Sequence, residues 1–210
     1  MSKLVAIMSM SLDGYVADPD DGVAEVFDWY GSGDVEFTTG GSAPMTFRMY
    51  QPSADHVHER TSGLGALITG RRTFEVAGGW GGNHPWGPAF VLTHHVPDGW
   101  PRPDSTVHFV TDGIESAVAQ AKAAAGDRAV AVHGADTIQQ LWNAGLLDEL
   151  SLDVAAVLLG SGVRLFDQLA GTPARLGNPT VTAGVGVTHL RYPVLEESPT
   201  PSSPSSPSSP

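Results

Sequence analysis

The chain has no cysteine among its 210 residues, which excludes a disulfide scaffold, thiolate metal ligands and a cysteine nucleophile. Positive charge is scarce as well: 11 Lys and Arg stand against 23 Asp and Glu, a formal charge of −12. Basic side chains never run longer than Arg71-Arg72. Such a chain repels phosphate backbones on average, so neither nucleic acid nor an anionic membrane surface is expected as a partner. No stretch approaches the ~18 apolar residues that a membrane-spanning helix needs. Met1-Ser2-Lys3 followed by Leu4 to Met10 has the outline of a secretory signal. Ser9 and Ser11 interrupt it and Asp13-Gly14 closes it without a small-residue cleavage site, so the segment reads as a first strand and a cytoplasmic location is expected.

What remains is an ordinary globular composition, 41% hydrophobic and 16% charged. Domains commonly span about 100–200 residues, so one domain is expected over residues 1–195. A chain of this size buries roughly 70% of its unfolded surface and needs no metal or disulfide staple. Residues 196–210 read Glu-Glu-Ser-Pro-Thr-Pro and then Ser-Ser-Pro three times. With no apolar side chain larger than proline, this tail cannot offset the entropy of ordering and is expected to be disordered. No repeat of 20–50 residues is visible, which argues against solenoids and propellers.

Within the body, Leu4–Met10, Ala66–Thr69, Ala89–Thr93, Val107–Val110 and Ala129–Val132 are short, nearly continuous apolar runs. Such runs suit strands covered on both faces, as in a mostly parallel sheet. Two helices lie between them. Ile114, Ala117, Val118 and Ala121 share one face, with Asp112 and Glu115 spaced as a capping box. Ile138, Leu141 and Trp142 share another, with Asp136 and Gln139 spaced as a second box and Gly145 near the end. Glu149–Leu159 is mostly apolar, and Thr180–Val194 is β-like with alternation around Val185-Gly186-Val187. Strand and helix in alternation predict an α/β domain of three layers, with right-handed crossovers. Asp20 to Ser53, rich in glycine and aromatics without clear periodicity, reads as a long loop that forms a lid or pocket wall.

Open α/β sheets bind ligands at the carboxyl ends of their strands. Asp13-Gly14 follows the first strand as a turn signal, with Asp13 either capping backbone amides or facing a ligand. Gly70-Arg71-Arg72-Thr73 follows the second; glycine admits close backbone approach, the helix start offers free N–H groups, and paired guanidinium groups clamp phosphates. Val132-His133-Gly134-Ala135-Asp136 is a strand, a glycine turn and a helix start, a possible phosphate cradle in which the Asp136 carboxylate must turn away from the ligand. Metal binding is not expected. His94 and His95 are adjacent and point apart, and His56 and His58 sit two apart on a suspected helix and do not face each other. Residues 78–87 carry Trp80 and Trp86 in a glycine-rich loop, where flat heterocycles would stack.

Ser11–Ala17, Thr69–Glu75, Val91–Thr93, Ala144–Leu150 and Leu159–Phe166 occur in an order and spacing that resemble the dihydrofolate-reductase-like superfamily, in particular its bacterial riboflavin-type reductase branch, the RibD C-terminal type. The resemblance spans residues 3–194. It implies a mostly parallel sheet with antiparallel C-terminal strands and NADPH bound across the strand ends. Gly70, Arg71, Arg72 and Thr73 would hold the phosphates, and Thr93 and His94 the adenosine end. Gly134, Ala135, Asp136, Thr137 and Ile138 would lie under the pyrophosphate, with Ser9, Val16 and Ala17 around the nicotinamide. Departures are Gly134-Ala135 where the family often has two glycines, Ala156 where a proline is common, and the missing deaminase half of the riboflavin enzymes. The expected function is an NADPH-dependent reductase of a C=N or C=O bond in a small heterocycle, with Asp13 as the polar catalytic residue and Trp80, Trp86 and Asp55 on the substrate side. The alternative is a non-catalytic binder of a flat, drug-like or pterin-like ligand. A small-molecule substrate is thus the expected partner, and homodimerisation is plausible.

Overall fold

A computed structural model describes residues 2–39 and 44–195; the proposed tail at 196–210 lies outside them. Among the described residues, twelve strands and five α-helices follow in order. The strands are β1 (Leu4–Ser11), β2 (Tyr15–Ala17), β3 (Val35–Thr38), β4 (Thr46–Met49), β5 (Leu64–Gly70), β6 (Ala89–Leu92), β7 (Val107–Val110), β8 (Ala129–His133), β9 (Glu149–Ala155), β10 (Val163–Arg164), β11 (Thr180–Ala183) and β12 (Val187–Pro193). The helices are α1 (Ala24–Phe27), α2 (Gln51–Ser62), α3 (Arg71–Val76), α4 (Ile114–Ala125) and α5 (Ala135–Asn143).

Eight strands form one sheet in the order β11-β12-β9-β1-β8-β5-β6-β7. From β9 to β7 every pair is parallel, while β12 and β11 are antiparallel additions at the C-terminal edge. This is the expected mixed α/β fold; four of the five apolar runs form the inner strands β1, β5, β6 and β8, and the fifth is the edge strand β7. The capping boxes are not formed: α4 and α5 start from Gly113 and Gly134, neither with a side-chain cap. Asp136 instead accepts from Gln140 Nε2 at 2.6 Å, and Gln139 Nε2 donates to the Leu165 carbonyl at 3.0 Å. Local i,i+4 and tertiary partners out-compete the cap.

Two further expectations change. Asp20–Ser53 is not one loop: it holds α1, a turn of 3-10 helix at Asp28–Tyr30, the β3–β4 hairpin and the start of α2. Trp29, Phe37 and Met49 from it pack with Ala54 and Val57 of α2 into a small core of their own. The segment's aromatic excess had concealed strands of only four residues. Around Val185-Gly186 the apparent alternation belongs to the turn between β11 and β12, where Gly186 has φ 72°.

The two sheet faces differ in kind. Toward α4 and α5 point Leu4, Ala6, Ala66, Ile68, Val130, Val132, Leu150 and Leu152, all buried in the main core. The opposite face begins apolar, with Val5, Ile7, Leu67, Val91 and Ala131 packed around Phe74 of α3. Toward the carboxyl ends it becomes polar. Pairing places Ser9 opposite Asp153, Asp153 opposite His189 and Thr69 opposite His133. Registered partners share a face, so these residues form a polar row across the sheet.

Candidate functional site

Ser9, Asp153 and His133 of that row line a cavity of about 1380 Å³ along the carboxyl ends of the strands. Its volume exceeds the roughly 300–1,000 Å³ of an ordinary small-ligand pocket, which leaves space for a large cofactor and a second molecule.

One rim is built from strand-end turns. Gly70, Arg71, Arg72 and Thr73 from the β5–α3 turn, Thr93 and His94 after β6, and Gly134, Ala135, Asp136 and Thr137 from the β8–α5 turn all line it. The turns meet closely. Gly134 has φ 89°, and a Cβ there would lie 2.6 Å from Thr73 Oγ1; one on Gly70 would lie 3.0 Å from Thr137 Oγ1. Thr69 Oγ1 and Thr137 Oγ1 are buried without partners. Backbone kept bare by glycine, unpartnered hydroxyls and two guanidinium groups suit a phosphorylated ligand. Asp136 turns its carboxylate to Gln140, which removes the repulsion a phosphate would meet. Arg71 pairs with Glu75 at 3.5 Å, and Arg72 with Asp21 of the loop after β2. Both arginines are more than half exposed, so an arriving anion exchanges with carboxylates that are held only weakly.

The residues expected around the ring, Ser9, Val16 and Ala17, line the same cavity, as do Trp80 and Trp86. Trp80 is held in an unusual way. Residues 78–82 all have positive φ, and Trp80 itself has φ 49° amid four glycines. Its indole meets Phe74 and His84 edge-on, at 5.8 and 4.9 Å between ring centres. His84, Trp86 and His133 continue this aromatic wall. Burial pushes His84 down to about 4 and His133 to about 3, so both rings are neutral at physiological pH. Trp86 Nε1 and His133 Nε2 are enclosed and unpartnered. From the Asp20–Ser53 segment, Tyr30 and Phe47 close the opposite side, so it does serve as a pocket wall.

Three expected site residues lie elsewhere. Asp13 does not line the cavity; its carboxylate accepts from Ser11 Oγ at 2.6 Å and from the Leu159 and Gly160 amides at 3.1 and 2.7 Å. The Ser11 hydroxyl first, then these amides, hold its pKa below the ordinary carboxylate range. Asp13 thus clasps the turn after β9 to the end of β1. Asp55 is exposed on α2 and bonds to Gln51 Nε2 at 2.7 Å. Ile138 is fully buried in the core beneath the rim.

The buried carboxylate that reaches the cavity is Asp153 of β9, 1% exposed. Arg60 Nη1 of α2 donates to both of its oxygens at 3.0 and 2.9 Å, and His189 Nδ1 lies 2.7 Å from Oδ1. Arg60 and His189 hold it ionised against the cost of burial. His189 Nε2 is 2.9 Å from Ser53 Oγ. Serine, histidine and aspartate thus stand in the order of a hydrolase triad, yet it is the carboxylate and not the hydroxyl that faces the cavity, so no nucleophile is presented. His56 stacks on His189 at 4.3 Å and 15°, and burial first, then the Arg60 charge, pushes its pKa down to about 4. Asp153, His56 and His189 bring three potential metal-ligating side chains together. Parallel stacked rings present their in-plane lone pairs side by side, and Arg60 already occupies both carboxylate oxygens, an arrangement that does not suit a cation.

Sequence patterning held one signal for this cluster. In Glu149-Leu150-Ser151-Leu152-Asp153-Val154 the polar residues alternate, so a strand that is apolar on one face must bury three polar groups on the other.

A family model described as the RibD C-terminal domain matches residues 2–182. Among solved structures, a Shewanella sp. PV-4 protein assigned to riboflavin biosynthesis is similar at 22% identity and TM-score 0.65, covering 92% of this chain and 99% of that one. Dihydrofolate reductase from Enterococcus faecalis, complexed with NADP(H) and RAB-propyl, is similar at 14% identity and TM-score 0.55, covering 91% of this chain and 95% of that one. A Thermotoga maritima diaminohydroxyphosphoribosylaminopyrimidine deaminase/5-amino-6-(5-phosphoribosylamino)uracil reductase is similar at 11% identity and TM-score 0.60; the match covers 92% of this chain and 57% of that one. At these identities the structures establish a shared fold. No curated protein matches the chain.

Proposed function

The chain belongs to the RibD C-terminal domain family, and from that premise we propose that it is an NADPH-dependent reductase of a C=N or C=O bond in a small, flat heterocycle. The observation that carries the reading is the division of a single cavity. A cationic, glycine-bared rim at Gly70–Thr73 and Gly134–Thr137 adjoins a neutral, aromatic chamber around Trp80, Trp86 and His133. A dinucleotide needs the first and a heterocycle the second.

In this reading Arg71, Arg72 and Thr73 hold the cofactor's phosphates, with the amides beside Gly134 approaching them closely. Ser9, Val16 and Ala17 flank the nicotinamide, which when bound supplies a hydride. Trp80 and Trp86 fix the substrate ring by stacking, and the aromatic wall excludes water from its face. Asp153, held ionised, accepts a hydrogen bond from the substrate and gives no proton; the proton that completes the reduction enters from solvent through the open side of the cavity. Asp13 keeps its structural role in the turn.

Titration with NADPH, followed by nucleotide fluorescence and thermal unfolding, tests the reading. Saturable binding and a raised unfolding temperature are expected. No change at millimolar NADPH would overturn it. If NADPH binds but is not oxidised with any pteridine, pyrimidine or cyclic imine, the reading of a non-catalytic binder replaces it.

A further inference from the structure

The segment from Val23 to Ser32, which holds α1 and the turn of 3-10 helix, presents two lining faces. Val23, Phe27, Tyr30 and Gly31 recur at helical spacing and line the large cavity. Ala24, Asp28 and Ser32, at the same spacing on another face, line a second cavity of about 410 Å³. The two cavities share no lining residue. Trp29, 3% exposed, belongs to the second wall; behind it, His189 meets its edge at 5.0 Å and the Tyr30 ring lies 3.8 Å away, between ring centres. Trp29 Nε1 is enclosed and has no acceptor among the described residues.

Shape and charge together specify what this second cavity takes. Ala155, Ala156 and Val157 at the end of β9 and Gly186 of the β11–β12 turn line it with methyl groups and backbone. The Leu12 amide donates to the Val157 carbonyl and the Ala156 amide to the Gly186 carbonyl, both at 2.9 Å. The turns that carry Leu12, Leu158 and Val185 therefore frame the opening, with those side chains 67%, 68% and 52% exposed. Apolar side chains gathered in water mark a surface that a ligand or partner covers. Glu25 and Asp28, three apart on one helical turn, both line the cavity, and no Lys or Arg does among the described residues. Neither carboxylate has a side-chain hydrogen bond or an ion pair among those residues. Two like charges at that spacing repel, and a cation between them relieves the repulsion. Two carboxylates and the Ser32 hydroxyl beside methyl groups fall short of the six to eight oxygens a calcium ion takes, so the cation that fits is an organic one. The volume lies within the roughly 300–1,000 Å³ of small-ligand pockets.

We propose that this second cavity binds a small organic cation, its ammonium group between Glu25 and Asp28 and its apolar body against Ala155–Val157 and the exposed leucine lip. The site is separate from the cavity that the reductase reading uses, and either can fail alone.

The indole N–H signals of the five tryptophans in the proton–nitrogen NMR spectrum of the full chain test it. Phenylalanine variants of Trp80, Trp86, Trp100 and Trp142 leave the Trp29 signal assigned by elimination. Benzylammonium chloride should move the Trp29 signal saturably, because its unpartnered Nε1–H responds to a charge placed nearby. The signals of Trp80 and Trp86, which line the other cavity, should stay in place. Benzyl alcohol, without the charge, and methylammonium, without the apolar body, should each bind about threefold to tenfold more weakly. Glu25→Gln with Asp28→Asn should weaken benzylammonium by a similar factor and leave benzyl alcohol unchanged; both side chains are exposed, so the fold is kept. Saturating NADPH should not alter the affinity. A Trp29 signal that benzylammonium does not move, or moves with undiminished affinity in the double variant, would overturn the proposal. Displacement of the cation by NADPH would place it in the larger cavity and overturn it too. So would a concentration-dependent dimer in sedimentation that Leu12→Asp with Leu158→Asp dissociates, since the face would then belong to a second copy of the chain.

Discussion

Moving from pH 7.5 to pH 5 should cost this protein a large share of its stability, through three histidines that the fold buries uncharged. His56 and His84 are held near 4 and His133 near 3, in each case mainly by burial, against about 6.5 in an unfolded chain. Between those values the unfolded state binds more protons than the native one, so stability falls as pH falls. By pH 5 each fully enclosed ring has withdrawn about 2 kcal/mol, and the three together about 4–6 kcal/mol. That is comparable to the whole stability of a marginal domain, about 5–15 kcal/mol. Asp153 adds nothing in this window. Its pKa is lowered in the fold, so its contribution is lost only as pH drops below the ordinary carboxylate value near 4. Urea unfolding at the two pH values measures the difference, with unchanged m-values as the control that the same transition is followed. His84→Phe should shrink the gap by about 2 kcal/mol, since one of the three titrations is gone. Equal urea midpoints at pH 7.5 and 5, or a His84→Phe variant with the wild-type gap, would refute the reasoning.

Three further outcomes are expected. Gly134→Ala places a side chain at φ 89° and 2.6 Å from Thr73 Oγ1; it should cost about 1–3 kcal/mol in thermal unfolding and weaken NADPH at least tenfold, and unaltered values in both assays would dismiss the close-approach argument. Arg72→Gln should weaken NADPH about tenfold and flatten its salt dependence, whereas Asp21→Asn, which releases Arg72 from its carboxylate partner, should strengthen it; fluorescence titration at two ionic strengths separates the two. Asp153→Ala strands the buried Arg60 charge and should destabilise by about 3–5 kcal/mol, while Arg60→Met with Asp153→Leu should recover most of that loss in urea unfolding. A double variant no better than the single one would mean that charge compensation is not what holds the cluster.

The inner strands and the phosphate rim were legible because their signals are local. Continuous apolar runs mark strands covered on both faces, and Gly70-Arg71-Arg72 is a charge anomaly in an acidic chain. Asp13 shows where locality misleads. Asp-Gly was open to a turn reading and a ligand reading, and the backbone amides of Leu159 and Gly160, about 146 positions away, settle it as a clasp. Asp153 shows the reverse. Its partners come from α2 and β12, 93 and 36 positions away, so no motif contains them. The alternation in β9 was present in the sequence, but it acquires meaning only when the strand is known to lie between β1 and β12, with the apolar core on one face and the cavity on the other.

That placement explains why the site is held rather than merely lined. A polar side chain on an edge strand or loop can relax into water, and its geometry is then set by side-chain entropy. Ser9, Asp153 and His189 sit on three adjacent strands in fixed register, and the face behind them is a continuous apolar core under α4 and α5. Sliding any one strand by a single residue would drive Leu152 or Leu190 onto the polar face and Asp153 or His189 into that core. The hydrophobic face thus enforces the register of the polar one. Preorganisation at the floor of the cavity follows from core packing, and substitutions in the core at Leu152 or Leu190 that loosen it should disturb ligand recognition before they unfold the domain.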